Sequence, residues 1–157
     1  MQIYSQLTPL ALNGAAGSAV AMGYFDGIHR GHRAVIQGAV QWAQAHGACP
    51  ALFTFELPSG SRMKGKRLLS TQDKHALVQS LGVQHYLCPE FAAIQSLPPE
   101  KFVQDIVEDC QARALFCGEN FTFGAKAAGD PELLQALCRP LGVEVVVVPM
   151  AQYEDKP

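Results

Sequence analysis

Residues 23–32 read Gly-Tyr-Phe-Asp-Gly-Ile-His-Arg-Gly-His, directly after the apolar run Ala19-Val20-Ala21-Met22. Two imidazoles, His29 and His32, flank Gly31 where a short buried strand is expected to turn into a helix. Such a spot suits a phosphate. The first N–H groups of a helix have no intrahelical partner, and the helix dipole favours negative charge there. Gly31 lets a ligand come close to the backbone, while His29 and His32 add ring N–H donors to the same space. Neither a Walker A string nor a G-x-G-x-x-G fingerprint occurs, so the common glycine-loop cradles are not on offer. A zinc site would need further ligands at suitable spacing, and no cysteine pair completes one.

The elements that must hold this turn recur along the chain. Five apolar, β-rich runs, Ala19 to Phe25, Cys49 to Phe55, Val83 to Cys88, Ala114 to Cys117 and Val143 to Val148, return at about the spacing of one βα unit. Each is continuous rather than alternating, as parallel strands covered on both faces should be. Between them lie helical patterns. Val35, Ile36, Ala39, Val40 and Ala43 form one stripe, with Trp42 off it. Ser70 with Asp73 predicts a capped start for a helix that turns Leu77, Val78 and Leu81 inward and stops at Gly82. Pro98-Pro99-Glu100 opens another, with Phe102, Val103, Ile106, Val107 and Cys110 on its buried face. Asp130-Pro131 reads as an N-cap followed by proline at the first helical position, ahead of Leu133, Leu134 and Leu137. The fold class is therefore α/β: one domain, an open parallel sheet of about five strands, helices on both faces and right-handed crossovers.

Two connections are too long to be mere turns. Glu56 to Leu69 holds the basic cluster Arg62, Lys64, Lys66 and Arg67; Gly118 to Gly129 reads Gly-Glu-Asn-Phe-Thr-Phe-Gly-Ala-Lys-Ala-Ala-Gly. Both leave the carboxyl ends of strands, where open α/β sheets bind ligands, so they are expected to converge with the histidine turn on one crevice. The basic cluster reads either as a solvated loop or as charge for a phosphorylated substrate. Phe121 and Phe123 either plug the sheet end or offer a surface to an apolar ring.

With 48% hydrophobic and 17% charged residues the chain is globular. A net charge of −2 makes no case for a nucleic-acid or membrane partner. No apolar run is long enough to span a bilayer, and no basic n-region marks a secretory signal. The five cysteines read as small core residues in a reducing compartment, which points to the cytoplasm. His46, His75 and His85 read as surface or hydrogen-bonded core histidines, and Asp26 as either a turn brace or a pocket residue.

In order, Gly23-x-Phe25-Asp26-Gly27-Ile28-His29-Arg30-Gly31-His32, Phe53-Thr54-Phe55-Glu56, Leu81-Gly82-Val83 and Gly118-Glu119-Asn120-Phe121-Thr122-Phe123-Gly124 resemble the FMN adenylyltransferase module of the prokaryotic FAD synthetase family. The resemblance runs from about Val20 to Val148. It implies a Rossmann-like nucleotidyltransferase fold and transfer of AMP from ATP to FMN, giving FAD and pyrophosphate, with Mg²⁺ on the phosphates. It implies that His29 and His32 are catalytic and contact the ATP phosphates. Gly23, Tyr24, Phe25, Asp26 and Gly31 would form the ATP site, and Asn120, Phe121, Phe123 and Gly124, with Arg62 and Lys64, the flavin and phosphate side.

This chain departs from the family pattern in places. Tyr24 stands where the family often has Asn, and Leu57-Pro58-Ser59 where it usually shows Pro-His-Pro. The chain stops at Pro157, before a Ser-Ser-Thr-x-x-Arg-like motif and a riboflavin-kinase domain. On this resemblance kinase activity is not expected and adenylyl transfer is expected to be reduced. The alternatives are a flavin- or nucleotide-binding module with little turnover, and a related nucleotidyltransferase acting on another phosphorylated acceptor.

Overall fold

The computed structural model describes residues 1–25, 30–55 and 70–149. Six strands form one sheet: β1 (Gln2–Tyr4), β2 (Ser18–Met22), β3 (Cys49–Phe53), β4 (His85–Leu87), β5 (Ala112–Gly118) and β6 (Glu144–Val148). Their order is β1-β4-β3-β2-β5-β6, and every pair is parallel. Five helices accompany them: α1 (Arg30–His46), α2 (Thr71–Ser80), α3 (Phe91–Ile94), α4 (Pro99–Cys110) and α5 (Pro131–Cys138).

The sheet has one more strand than the five apolar runs foretell. Strand β1 is three residues long on an edge, with Ile3 53% exposed, so it carries no hydrophobic pattern to read. It is held by its pairing with β4 and by Tyr4, whose hydroxyl lies 2.9 Å from Nδ1 of the buried His85. The apolar runs also overshoot at their carboxyl ends. Strand β2 stops at Met22 and β3 at Phe53, each with one further backbone rung: Gly23 N–H to Phe53 C=O at 3.1 Å, and Thr54 N–H to Leu87 C=O at 2.9 Å. Gly23, Tyr24 and Phe25 thus leave the sheet and belong to the turn.

The two faces of the sheet bury separate cores, because successive side chains of a strand point to opposite sides. Val20, Met22, Phe53, Leu115 and Cys117 face α4 and α5 through Phe102, Ile106, Leu134 and Cys138. Ala19, Ala21, Leu52 and Phe116 face α1 and α2 through Val35, Ile36, Ala39 and Val78. Small residues on β2 bring α1 close. At Gly38, in mid-helix, an added Cβ would stand 3.0 Å from the Phe116 ring, so the glycine is kept at the cost of about 1 kcal/mol of helix propensity.

The caps fall where the sequence places them. Asp73 N–H donates to Ser70 Oγ at 3.0 Å, and Leu133 N–H to Asp130 Oδ1 at 2.8 Å. Pro99 and Pro131 occupy first-turn positions. Trp42, off the stripe, has its own role at the sheet end remote from the carboxyl termini of the strands. It stacks on His46 with ring centroids 3.7 Å apart, and the Arg113 guanidinium lies 5.2 Å from its ring.

Burial pushes the thiols of Cys110 and Cys117 from the ordinary 9.0 up to about 12, and that of Cys138 to about 11. The unfolded chain would ionise these groups first. Their contribution to stability is therefore whole below pH 9 and lost as pH rises toward about 12. Urea melts are expected to show a falling midpoint across that alkaline range, less so in a Cys110→Ala/Cys117→Ala/Cys138→Ala variant; equal pH slopes would contradict this.

Candidate functional site

The strand order reverses beside β2. From β2 the chain moves toward β3 on one side, while β5 and β6 extend the sheet on the other. Backbones leaving the carboxyl ends of β2 and β5 therefore diverge, and a crevice opens between them. Met22 and Cys117 pair near the end of this junction, and the crevice begins just beyond them.

On the α1 side the crevice holds a cavity of about 230 Å³. Met22, Gly23, Tyr24 and Phe25 line it from the end of β2, His32 and Val35 from the first turns of α1, and Gly118 and Asn120 from the end of β5. His32 is half-buried and meets the edge of the buried Phe25 ring at 5.4 Å, T-shaped. Gly31 is buried in the first turn of α1. An imidazole, the first described turn of α1 and an amide side chain are thus gathered at one end of the crevice.

A larger cavity of about 580 Å³ adjoins the first and shares Gly23, Phe55, Phe121 and Thr122 with it. Its walls are aromatic, in two runs of touching rings. Phe55 stacks on Tyr24 (4.9 Å, 15°) and reaches Phe91 at 4.9 Å. Phe123 stacks between Phe102 at 5.4 Å and Phe121 at 5.7 Å. Gln95, Thr122 and Lys126 are its polar side chains among the described residues.

The loop after β5 is firmly tied. Phe123 and Gly129 exchange two backbone hydrogen bonds, at 3.2 and 2.8 Å, closing the loop like a purse. The ring of Phe123 lies over Gly129, where an added Cβ would stand 2.5 Å from it. Gly124, at φ +80°, sits against Pro99, and Ala125 N–H donates to Leu97 C=O at 2.7 Å.

The residues singled out in sequence divide accordingly. Tyr24, Phe25, His32 and Asn120 line the smaller cavity, Phe123 and Gly124 the larger, and Gly23 and Phe121 both, while Gly31 lines neither. Phe121 and Phe123 both pack on the core beneath the sheet, and both line the cavity. Asp26, His29, Arg62 and Lys64 lie outside the described residues. Sequence reasoning missed Phe91 and Ile94, from the four-residue helix α3, and Gln95, its C-cap, a turn too short to show a period. It also missed Thr122 and Lys126 as lining residues, though both stand inside the Gly118 to Gly129 loop it marked.

Taken together, the all-parallel sheet and the crevice at its order reversal define an α/β protein of Rossmann-like fold, with a polar compartment joined to an aromatic one. A family profile described as FAD synthetase matches residues 13–157, and the chain belongs to that family. It is similar to a bifunctional riboflavin kinase/FMN adenylyltransferase of Buchnera aphidicola, at 27% identity over 90% of this chain and 47% of that protein. The corresponding figures are 28%, 92% and 42% for FAD synthetase 1, chloroplastic, of Arabidopsis thaliana. For a bifunctional riboflavin kinase/FMN adenylyltransferase of Escherichia coli K12 they are 29%, 82% and 43%. The chain spans less than half the length of these three relatives. In fold alone it matches a crystal structure described as a macrolide-efflux protein from Streptococcus pneumoniae. That match has a TM-score of 0.77 at 22% identity and covers 95% of this chain and 59% of the other.

Two substitutions check the architecture. Thr54, just past β3 between two cavity-lining phenylalanines, is fully buried, and among the described residues its hydroxyl has no hydrogen-bond partner. Thr54→Val keeps the shape and removes the orphan, so thermal melting is expected to be unchanged or raised, by up to about 1–3 kcal/mol; a drop of that size would reveal a partner. Gly129→Ala is expected to cost about 1–3 kcal/mol in a urea melt by driving a methyl into Phe123. An unchanged midpoint would show that the ring is free to move.

Proposed function

We propose that residues 1–157 form an adenylyltransferase domain that transfers AMP from ATP to FMN, releasing FAD and pyrophosphate. The observation that carries this reading is the joined pair of cavities. One is a polar compartment at the amino end of α1 with His32 in it; the other is an aromatic compartment of about 580 Å³ sharing four residues with the first. The smaller compartment suits phosphates and the larger suits the flat, apolar ring of a flavin. A ribityl-phosphate chain passing the shared wall at Gly23 and Thr122 would carry its phosphate from one to the other.

In the reaction a phosphate oxygen of FMN attacks the α-phosphorus of ATP. The new P–O bond forms as the bond from that phosphorus to the bridging oxygen breaks in line, and the electron pair leaves with pyrophosphate. Such a transfer asks the protein for positioning and for charge at the phosphoryl oxygens. His32, with His29, donates ring N–H groups to the ATP phosphates where negative charge builds. Gly23, Tyr24, Phe25, Asp26 and Gly31 shape the nucleotide side. Asn120, Phe121, Phe123 and Gly124 hold the flavin side, and Arg62 and Lys64 add positive charge near the phosphates. When bound with the ATP phosphates, Mg²⁺ would supply neutralisation of their charge, and Asn120 and Thr122 are the residues that would hold it. The amide oxygen of Asn120 and the hydroxyl of Thr122 are hard oxygen donors of the type that ion accepts. The domain works on small molecules rather than nucleic acid or membranes, in keeping with its net charge of −2, and its substrates place it in the cytoplasm.

The purified chain, given ATP, FMN and Mg²⁺, is expected to produce FAD resolved by chromatography. His32→Ala is expected to lower kcat by about 10²–10³, the usual loss for one donor to a developing anionic charge. FAD formation at the wild-type rate in His32→Ala would remove His32 from catalysis. No FAD from high concentrations of folded wild-type chain would overturn FMN adenylylation and leave the binding-module reading and transfer to another phosphorylated acceptor.

A further inference from the structure

We infer that Lys126 and Gln95 form a polar clamp at the rim of the aromatic cavity that selects a ring system by its carbonyl–imide edge. This rests on the proposed flavin reading and names which end of the ring the chain recognises.

Three observations converge on these two side chains. The first is their chemistry within the cavity's lining: among the described residues, apart from Thr122 on the shared wall, Gln95 and Lys126 are the polar side chains beside phenylalanine, isoleucine, alanine and glycine. The second is that they come from two segments pinned to each other. Ala125 N–H donates to Leu97 C=O at 2.7 Å, and Gly124 lies against Pro99, so the turn bearing Lys126 is fixed beside the segment that bears Gln95. The third is backbone strain. Among the described residues four non-glycine positions have a left-handed φ, and two of them, Lys126 at +57° and Ala127 at +53°, are consecutive in this cavity wall. Glycine would take that conformation without penalty, yet a long cationic side chain stands there. Strain of this kind, held in place by surrounding bonds, clusters where a ligand is gripped.

The phosphate of FMN must lie toward His32, so its ring enters past the shared wall. The rim residues not shared with the smaller cavity, Gln95 and Lys126, then meet the ring. Of the two ends of an isoalloxazine, the benzenoid end has no polar atom to offer. The pyrimidine edge presents carbonyl, N–H and carbonyl in sequence. A glutamine amide accepts from that N–H and donates to a neighbouring carbonyl, and an ammonium donates to the other carbonyl. The chain thereby distinguishes flavins by substitution at N3, and tolerates change at the benzenoid end.

The test measures dissociation constants by quenching of flavin fluorescence, with FMN and N3-methyl-FMN as probes. The proteins are the wild-type chain, Gln95→Leu and Lys126→Gly, and thermal melts are recorded alongside. Wild type is expected to bind FMN about tenfold more tightly than N3-methyl-FMN. Gln95→Leu is expected to bind the two alike. Lys126→Gly is expected to bind FMN several-fold more weakly while melting at the same or a higher temperature, since it relieves strain. A structural role for Lys126 would give the reverse, a lower melting temperature with unchanged FMN affinity. If wild type binds FMN and both variants bind it equally well, or if N3-methylation costs wild type nothing, the clamp is overturned and the flavin reading stands. If the folded wild type binds no flavin, both fall.

Discussion

The pairing of β2 with β5 is the constraint on which the rest of the molecule depends. Both strands are interior to the sheet, every side chain of β2 is buried, and their partners on the outer sides lead away in opposite directions. A parallel sheet must be covered on both faces, so the chain supplies α1 and α2 to one and α4 and α5 to the other. The same crossovers that cover the sheet leave an opening where the order reverses. The crevice is thus a consequence of how the fold closes its core, and no separate element is needed to make it.

What fills the opening differs from one side to the other because the two cores differ. Above β2, small residues let α1 approach, and its first turn delivers His32 beside the buried ring of Phe25. On the α4 side the core is rich in phenylalanine, and its last layer is not sealed: Phe102 and Phe123 are buried, while Phe121 and Phe55 remain partly open. The aromatic cavity is the exposed end of that packing. Rings held by neighbouring rings lose little further freedom when a flat ligand enters, which favours binding through preorganisation. Gly129 and Gly124 allow this arrangement, since side chains there would strike Phe123 and Pro99.

Much of this was legible from residue types. Five of the six strands follow from continuous apolar runs, and α2, α4 and α5 from Ser70, Pro99 and Asp130, because capping chemistry acts within a few residues. His32 and the loop from Asn120 to Gly124 were legible for a similar reason, as local patterns at strand ends. Strand β1 was not: Gln2-Ile3-Tyr4 becomes a strand only because β4 offers it an edge and His85 a partner for Tyr4. Nor was the far wall of the aromatic cavity. Phe91, Ile94 and Gln95 belong to one helical turn whose place is set by long-range packing and by the bond from Ala125 to Leu97. Trp42, off the stripe of its helix, found its meaning only in Arg113, far along the chain.

The central claim is that one crevice holds phosphates at α1 and a flat ring among the phenylalanines. A crystal structure of the chain with FAD tests it most directly. The account expects the pyrophosphate within hydrogen-bond reach of His32, with the isoalloxazine ring against Phe55, Phe121 and Phe123. A ring seated elsewhere, or a ligand that leaves His32 and the phenylalanines untouched, would contradict it.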